Sequence, residues 1–287
     1  MDPRIQYCVT QIEHKILHDS SEFNAHDALI QDLAKHINLT RFHLARLFLK
    51  DFKYSPREYI QHNLMGRCAL MIAHTTQSMF SIAIDMGFSS QQAFTRAYTK
   101  YWGISPQHFR QAHAYYIAKR DKSASPAVPG LADLEVKVQT MPEIHCWAAR
   151  YEGLSKQKHA CWNDFRHLFE QHTPDGLEGS FFGLTYDTSM FVPQPFMRYY
   201  CGVLVGPDPG RKPKEAFEIR LPAGRVATVT ARCMAPDLPY LYDYLLDHWL
   251  PQSGYSLRAS CFAESFEEIP LNWNEQPLLV KLVCWIC

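Results

Sequence analysis

The hydrophobic pattern divides the chain into a helical first half and a strand-rich second half. Up to about residue 120, apolar residues recur at three- and four-residue spacing, as in Leu44, Leu47 and Phe48, and glycine is almost absent. Later, β-branched and aromatic runs such as 134–138 and 200–205 alternate with helical stretches. The pattern predicts an all-α domain followed by an α+β domain.

A short segment without apolar periodicity separates these halves. Residues 121–130 combine two prolines, two serines and a glycine, a composition typical of a linker. We therefore expect a helical domain at 1–120, a linker at 121–131 and a second domain at 132–287. A chain of 287 residues is long enough for two separate cores.

The first half repeats itself with an offset of 50 residues. The shift superposes Leu44 on Phe94, Arg46 on Arg96, Leu47 on Ala97, Phe48 on Tyr98 and Tyr59 on Phe109. Further upstream the offset is 49, so the second copy has one extra residue in its turn. Gly87 suits the positive φ of such a turn, and Asn38 takes its place in the first copy. Each copy is predicted to be a helix-turn-helix.

A capping signature follows the first copy. Ser55 and Glu58 have the spacing of a capping box, and Pro56 occupies the first helical position. This signature predicts a helix from Pro56 to about His74 that connects the two copies.

The second helix of each copy exposes side chains that suit a DNA groove. Gln reads adenine, Arg reads guanine, and apolar groups contact the thymine methyl. An ordinary solvated face is the alternative at both helices. The predicted DNA contacts are Arg41, Phe42, Ala45 and Arg46 in the first copy, and Gln91, Gln92, Thr95 and Arg96 in the second.

The distribution of charge also favours the first half of the chain as the half that contacts DNA. Residues 1–122 carry 15 Lys and Arg against 10 Asp and Glu, and nine of the 14 histidines, whereas the remainder carries 14 basic against 19 acidic residues. A basic half joined to an acidic half suggests that only the first contacts a polyanion. Because chance alone produces such a difference often, charge by itself decides nothing.

The second copy has a distinctive pattern formed by Ile82, Ala83, Gly87, Phe88, Ser89, Ser90, Phe94, Arg96, Tyr98, Tyr101, Gly103, Ser105, Pro106, Phe109 and Arg110. This pattern closely resembles the signature of AraC/XylS-type bacterial transcription regulators. The weaker first copy extends the resemblance to about residues 8–115. It departs at Lys53, where the family usually has glycine. The domain comes first in the chain, as in the MarA, SoxS and Rob subgroup.

This resemblance implies a cytoplasmic regulator, such as an activator, that binds double-stranded DNA and works with RNA polymerase. Its two recognition helices would enter successive major-groove segments about 34 Å apart. Neither a cofactor nor a metal is implied.

The second half also contains a duplication, of the order strand, strand, helix, strand, strand. Residues 141–151 resemble 221–231, and the predicted helix 161–170 corresponds to 240–249. Two units related by a pseudo-two-fold axis would enclose a cleft, where a ligand commonly binds. Aromatic residues expected there would suit a hydrophobic cation. The predicted ligand contacts are Trp162, Phe165, Tyr186, Tyr244, Trp249 and Glu264.

Glu264 is the one carboxylate in this set. A buried carboxylate needs a partner, which a cationic ligand can provide. The alternative is a solvent-facing glutamate on an edge strand, which the sequence alone favours over a ligand site.

Short motifs over residues 132–287 resemble the GyrI-like small-molecule-binding domain. They are 186–187, 198–199, 221–227, 250–254 and 264–266. The resemblance implies that Glu264 lies in a ligand cavity. The family has tyrosine where this chain has Phe266, so one hydroxyl is missing. The same family leaves open a small-molecule hydrolase with Glu264 as general base near Tyr186, or a protein-interaction module with a filled cleft.

Other functional classes find little support. Nine scattered cysteines predict buried, reduced thiols, and the pair Cys284 and Cys287 lacks a second pair for a metal. His14 and His18 lack a third ligand. No nucleotide-binding motif or nucleophile elbow is present, and no apolar run or leader suggests a membrane or export.

Overall fold

The computed structural model describes residues 1–18, 26–119, 134–153, 158–170, 180–187, 197–205 and 212–287, in two compact units, 1–113 and 114–287. The predicted linker at 121–131 lies outside the described residues, so the domain limits 1–120 and 132–287 stay predictions. In the described residues, no helix is long and apolar enough to cross a membrane.

The all-α prediction for the first half is confirmed. Its helices are α1 (Pro3–His18), α2 (His26–His36), α3 (Arg41–Phe52), α4 (Pro56–His74), α5 (Met79–Asp85), α6 (Gln91–Trp102) and α7 (Pro106–Lys119). The predicted connecting helix is α4, and both hydrogen bonds of its capping box are present between Ser55 and Glu58.

The two helix-turn-helix copies share the conformation of their turns and the capping of their second helices. Asn38 and Gly87 adopt the predicted positive φ, 55° and 76°. The turn before α6 is one residue longer than the turn before α3, as the change in offset predicts. Thr40 caps α3 by accepting from the His43 amide, and Ser90 caps α6 in the same way.

Their cores match as well. The Phe48 and Tyr59 rings lie 5.7 Å apart at 63°, and the equivalent Tyr98 and Phe109 rings lie 6.0 Å apart at 61°. Edge-to-face packing of this kind stabilises each second helix against the helix that follows it. The sequence offset therefore predicts tertiary contacts as well as helices.

The second unit is built around one antiparallel sheet in its described residues. The strands are β1 (Val136–Met141), β2 (Ile144–Glu152), β3 (Phe181–Thr185), β4 (Arg198–Leu204), β5 (Phe217–Leu221), β6 (Gly224–Cys233), β7 (Leu257–Phe266) and β8 (Leu278–Ile286). Helix α8 (Lys158–Glu170) follows β2. A helical stretch formed by α9 (Leu238–Asp243), a π-helical turn (Tyr244–Trp249) and α10 (Leu250–Ser253) follows β6.

The strand order, β1-β6-β8-β7-β3-β4-β2-β5, confirms the predicted pseudo-symmetry. The axis passes between β7 and β3, and each repeat exchanges its first strand with the other. The two exchanges match in register, since Met141 pairs with Gly224 and Leu221 pairs with Ile144. Because neither repeat can complete its half of the sheet alone, the two form one folding unit.

Strand β7 runs from Leu257 to Phe266 and so includes Glu264. It lies between β8 and β3, not at an edge. The alternative of Glu264 as a solvent-facing residue on an edge strand is therefore wrong.

The cysteines are all free, and every one except Cys287 is buried. Burial raises the pKa of the Cys8 and Cys68 thiols to about 12, so these groups stay protonated and behave as small apolar side chains.

Candidate functional site

Two surfaces carry the residues singled out by the sequence, one in each unit. The first is formed by the exposed faces of α3 and α6. At helix positions 1, 2 and 6, α3 exposes Arg41, Phe42 and Arg46, and α6 exposes Gln91, Gln92 and Arg96. Ala45 and Thr95, at position 5 of each helix, are half-buried.

The buried positions of these helices are also shared. Leu44 and Phe48 are buried in α3, as are Phe94 and Tyr98 in α6, so each helix is anchored through the same stripe. Leu47 and Ala97, which superpose under the 50-residue offset, are both half-buried. A common anchor means that the two exposed faces have the same orientation within their own copies.

The ends of both helices are fixed by a residue in the left-handed conformation. Lys53 has a φ of 66°, and Gly103, which follows α6, has a φ of 74°. The predicted departure from glycine therefore leaves the backbone unchanged. The Lys53 ammonium donates to the Lys50 carbonyl at 3.1 Å, which places a positive charge at the end of α3.

The most exposed apolar side chain of α3 is Phe42. Its side chain is 73% exposed, and the Arg41 guanidinium lies 4.9 Å from its ring. Single exposed apolar side chains are common on protein surfaces, so its exposure alone does not assign Phe42 a partner. No equivalent aromatic residue exists in α6, where the position is Gln92.

The second surface centres on Glu264, whose side chain is fully buried. Its Oε1 atom accepts from the Lys158 ammonium at 2.5 Å and from the Tyr242 hydroxyl at 2.8 Å. Its Oε2 atom accepts from the Tyr199 hydroxyl at 2.8 Å. The carboxylate is thus surrounded by three donors, and they stabilise its negative charge.

Burial, together with the Glu264 charge, raises the pKa of Tyr199 and Tyr242 well above the ordinary tyrosine value. Both hydroxyls therefore remain protonated donors at any physiological pH. Glu264 therefore has two tyrosine hydroxyl partners, although Phe266 replaces the family's tyrosine. Phe266 itself is buried and packs its ring against Trp162 and Trp273.

Glycine opposite Glu264 makes room for this cluster. Gly183 pairs with Glu264 across β3 and β7. A Cβ atom at Gly183 would lie 2.0 Å from the Tyr199 hydroxyl and 2.8 Å from Glu264 Oε2. The strand registers can be followed from the matching pairs Met141–Gly224 and Leu221–Ile144 to the centre of the sheet. They place Gly183 and Glu264 at equivalent positions of the two repeats.

The structure brings together only part of the predicted ligand set. Trp162 joins Glu264 indirectly, since its indole Nε1 donates to the Tyr199 hydroxyl at 3.3 Å. The ring of Phe165 lies 5.3 Å from Trp162, but it also packs on Phe169 at 4.5 Å, within the core.

The other three predicted ligand residues lie apart from Glu264. Tyr186 packs on Tyr200, which alternates with Tyr199 in β4 and so faces the opposite side of the sheet. Tyr244 donates to the Leu134 carbonyl at 2.8 Å. Trp249 stacks on Tyr255, with 6.0 Å between the rings.

Tyr186 therefore does not accompany Glu264 as the hydrolase alternative requires. Beside it, Asp187 and Arg198 form a buried two-point ion pair, with nitrogen–oxygen distances of 2.7 and 2.8 Å. The Arg198 guanidinium also lies 4.9 Å from the Tyr186 ring. This cluster closes the end of the β3–β4 pair on the side away from Glu264.

Sequence reasoning missed Lys158, Tyr199 and Tyr242 as neighbours of Glu264. Tyr199 belongs to one of the GyrI-like motifs, which was a usable signal. Lys158 and Glu264 are 106 positions apart, and no spacing rule links them.

Comparison with known proteins agrees with both halves. Residues 134–283 match the GyrI-like small molecule binding domain family over half of the chain. The chain belongs to this family. Residues 33–112 match a helix-turn-helix domain family of the AraC type. The helix-turn-helix match precedes the GyrI-like match along the chain, which is the order that the sequence predicted.

Curated relatives match about a third of this chain. The lactose operon transcription activator of Staphylococcus xylosus is 29% identical over 34% of this chain and 35% of its own length. The activator AarP of Providencia stuartii is 32% identical over 30% of this chain and 64% of its own length. The chain spans about a third of the length of the first relatives it matches.

Two solved structures are similar over larger parts of the chain. One is a complex of EcmrR with DNA, 14% identical, with a TM-score of 0.42, covering 90% of this chain and 98% of that one. The other is SAV2435 bound to tetraphenylphosphonium, 14% identical, with a TM-score of 0.37, covering 53% and 94%.

Proposed function

We propose that this chain is a sequence-specific transcription regulator that binds double-stranded DNA through α3 and α6 and senses a hydrophobic cation through its GyrI-like domain. The observation that carries the DNA part is the matched exposure of helix positions 1, 2 and 6 in two copies that share their turn conformation and helix caps. Relatives named as activators support activation, with RNA polymerase as the further partner.

The two helices read different bases under this proposal. Helix α6 presents Gln92 and Arg96, which suit adenine and guanine, whereas α3 presents Arg46 and the apolar Phe42, which suits a thymine methyl. The recognised DNA sequence has no internal symmetry under this proposal, since the two copies differ at these positions. Two contacted blocks about 10 base pairs apart are expected on one face of the duplex.

Selection of bound DNA from a random pool tests this assignment. Arg96→Ala should weaken specific binding by about 1–3 kcal/mol and relax one base of one block. Arg46→Ala, at the same helix position, is the matched variant and should relax the other block. An unchanged consensus in both variants would remove α3 and α6 from the reading role.

The helical half should act alone. A fragment of residues 1–120 should select the same consensus as the full chain, because both helices and α4 lie within it. A fragment of residues 130–287 should select none. Loss of specific binding by a folded 1–120 fragment would show that the second half contributes to recognition.

The sensing part rests on the buried Glu264 carboxylate and the aromatic rings that join it. A cation is favoured because it compensates a desolvated negative charge and stacks on π surface at once. Glu264→Gln should weaken the binding of tetraphenylphosphonium by about 1–3 kcal/mol and leave the binding of neutral triphenylphosphine oxide nearly unaffected. Calorimetric titration would measure both affinities. Equal affinity of the cation for both proteins would place Glu264 outside the site.

A sensor releases its ligand unchanged. Chromatography of the ligand after prolonged incubation with the protein should therefore recover it intact, and turnover would favour the hydrolase alternative instead.

A further inference from the structure

The position that a cationic ligand would take beside Glu264 is occupied by a side chain of the protein itself. The Lys158 ammonium lies 2.5 Å from Glu264 Oε1 and 4.5 Å from the centre of the Tyr199 ring. These are the two interactions, charge pairing and cation–π contact, that a hydrophobic cation would make.

A second cation cannot simply be added to this arrangement. One buried carboxylate compensates one positive charge, and two cations held within a few ångströms of each other in a desolvated site repel strongly. A ligand cation must therefore replace the ammonium before it can pair with Glu264.

Lys158 is placed so that it can leave. It is the first residue of α8, and its side chain is 24% exposed, whereas the Glu264 side chain is fully buried. A lysine has a flexible four-carbon stem, so the ammonium can reach water by side-chain rotation alone. Glu264 has no such freedom, since two tyrosines hold both of its oxygens.

We propose that Lys158 is a tethered competitor, and that a cationic effector binds by exchanging with its ammonium on Glu264. This proposal rests on cation sensing by the GyrI-like domain. The exchange sets a threshold, because apparent affinity falls by the fraction of molecules in which Lys158 has already left. It also favours permanent cations that bring enough apolar surface to offset the displaced ion pair.

Affinity measurements on a charge-free variant provide the first test. Lys158→Met should bind tetraphenylphosphonium at least about tenfold more tightly than wild type, since the competing charge is gone. The exposed Lys281 of β8 is the matched control, and Lys281→Met should bind as wild type does. The double variant Lys158→Met, Glu264→Gln should lose the gain.

Chemical labelling of the wild-type full chain provides a second test that does not depend on a variant folding. The Lys158 amine should react slowly with an amine-acylating reagent in the free protein and faster once tetraphenylphosphonium is bound, as peptide mass spectrometry would show. Lys281 should react equally in both states, and neutral triphenylphosphine oxide should change neither.

The outcomes separate the exchange from cation sensing itself. Tighter binding of tetraphenylphosphonium by Lys158→Met than by wild type supports the exchange. Binding by Lys158→Met when wild type shows none also supports it. Equal or weaker binding, or greater protection of Lys158 with ligand, overturns the exchange and leaves cation sensing in place. Absence of cation binding by both proteins overturns both proposals.

Discussion

The chain contains two duplications, and they differ in where their copies diverge. In the helical unit, the copies share their buried stripes and ring packing, and they diverge on the exposed faces of α3 and α6. In the sheet unit, the copies share their strand exchange and diverge at the buried centre, where Gly183 stands opposite Glu264.

The difference follows from how the two copies are arranged in each unit. Each helix-turn-helix copy has its own buried stripe and its own exposed face, so each can change its outer face without disturbing its core. Two sheet repeats enclose their axis, so a large polar group there fits only if the equivalent residue is small. Gly183 gives Glu264 and Tyr199 that space. Asymmetry is therefore expected to carry function on the surface of one unit and in the interior of the other.

The largest expected effect concerns a buried ion pair found in one sheet repeat only. Asp187 pairs with Arg198 at the end of β3 and β4, and the strand registers make Glu268 and Leu279 the equivalents in the other repeat. Asp187→Asn should lower the free energy of unfolding by about 3–5 kcal/mol, because it leaves the guanidinium buried without a counter-charge. Tryptophan fluorescence during urea unfolding would measure this, since five of the six tryptophans lie after residue 131.

The equivalent residue of the other repeat provides the control. Glu268 is exposed, and Glu268→Gln should change stability by less than about 0.5 kcal/mol. Similar losses in both variants would mean that the two repeats do not differ at this point.

The next effect concerns the centre of the sheet. Gly183→Ala should lower the free energy of unfolding by about 1–3 kcal/mol, because a methyl group there overlaps the Tyr199 hydroxyl and Glu264. The same urea unfolding measurement applies. The variant should also weaken tetraphenylphosphonium binding, as the displaced tyrosine no longer orients the carboxylate. Unchanged stability and binding would show that Gly183 is not required at this position.

How far the sequence predicts the molecule depends on the range of the contacts involved. Helix caps, turn glycines and the copy offset are local signals, so the bounds of α4 and the turns at Asn38 and Gly87 agree with prediction. The ring contacts follow from the offset as well. The partners of Glu264 do not, because strand exchange brings Lys158, Tyr199 and Tyr242 together from distant segments. Alternation in β4, a register property, likewise separates Tyr186 from Glu264.

A smaller effect concerns the shared core of the helix-turn-helix copies. Tyr98 occupies the position of Phe48, and among the described residues its buried hydroxyl has no hydrogen-bond partner. Tyr98→Phe should raise the stability of the helical unit by about 1 kcal/mol, since it removes an unsatisfied polar group. Circular dichroism at helical wavelengths during thermal unfolding of the full chain would measure the shift. Phe48→Tyr should act in the opposite direction, and a destabilising Tyr98→Phe would show that the hydroxyl is bonded in solution.

The smallest expected effect concerns the residues that end α3 and α6. Lys53 and Gly103 share a positive φ, 66° and 74°, although only glycine adopts it without a steric cost. Lys53→Gly should therefore stabilise the helical unit by about 0.5–1 kcal/mol, and Gly103→Ala should destabilise it by about 1 kcal/mol. Among the described residues, no atom other than those of the two chain neighbours lies within 4 Å of a Cβ atom built at Gly103, so the destabilisation by Gly103→Ala would reflect backbone conformation alone.

DNA-binding measurements would show whether the strained Lys53 has a role in contacting DNA. If the Lys53 ammonium contacts a phosphate, Lys53→Gly should weaken binding to all sequences alike and lower the slope of log affinity against log salt by about one, despite the gain in stability. Lys53→Ala should show the same loss of binding without the gain, because alanine keeps the strained φ. Gly103→Ala should leave the salt slope unchanged. A stabilised Lys53→Gly with an unaltered slope would mean that the charge at the end of α3 does not contact DNA, and the difference between the two copies at this position would then lie in stability only.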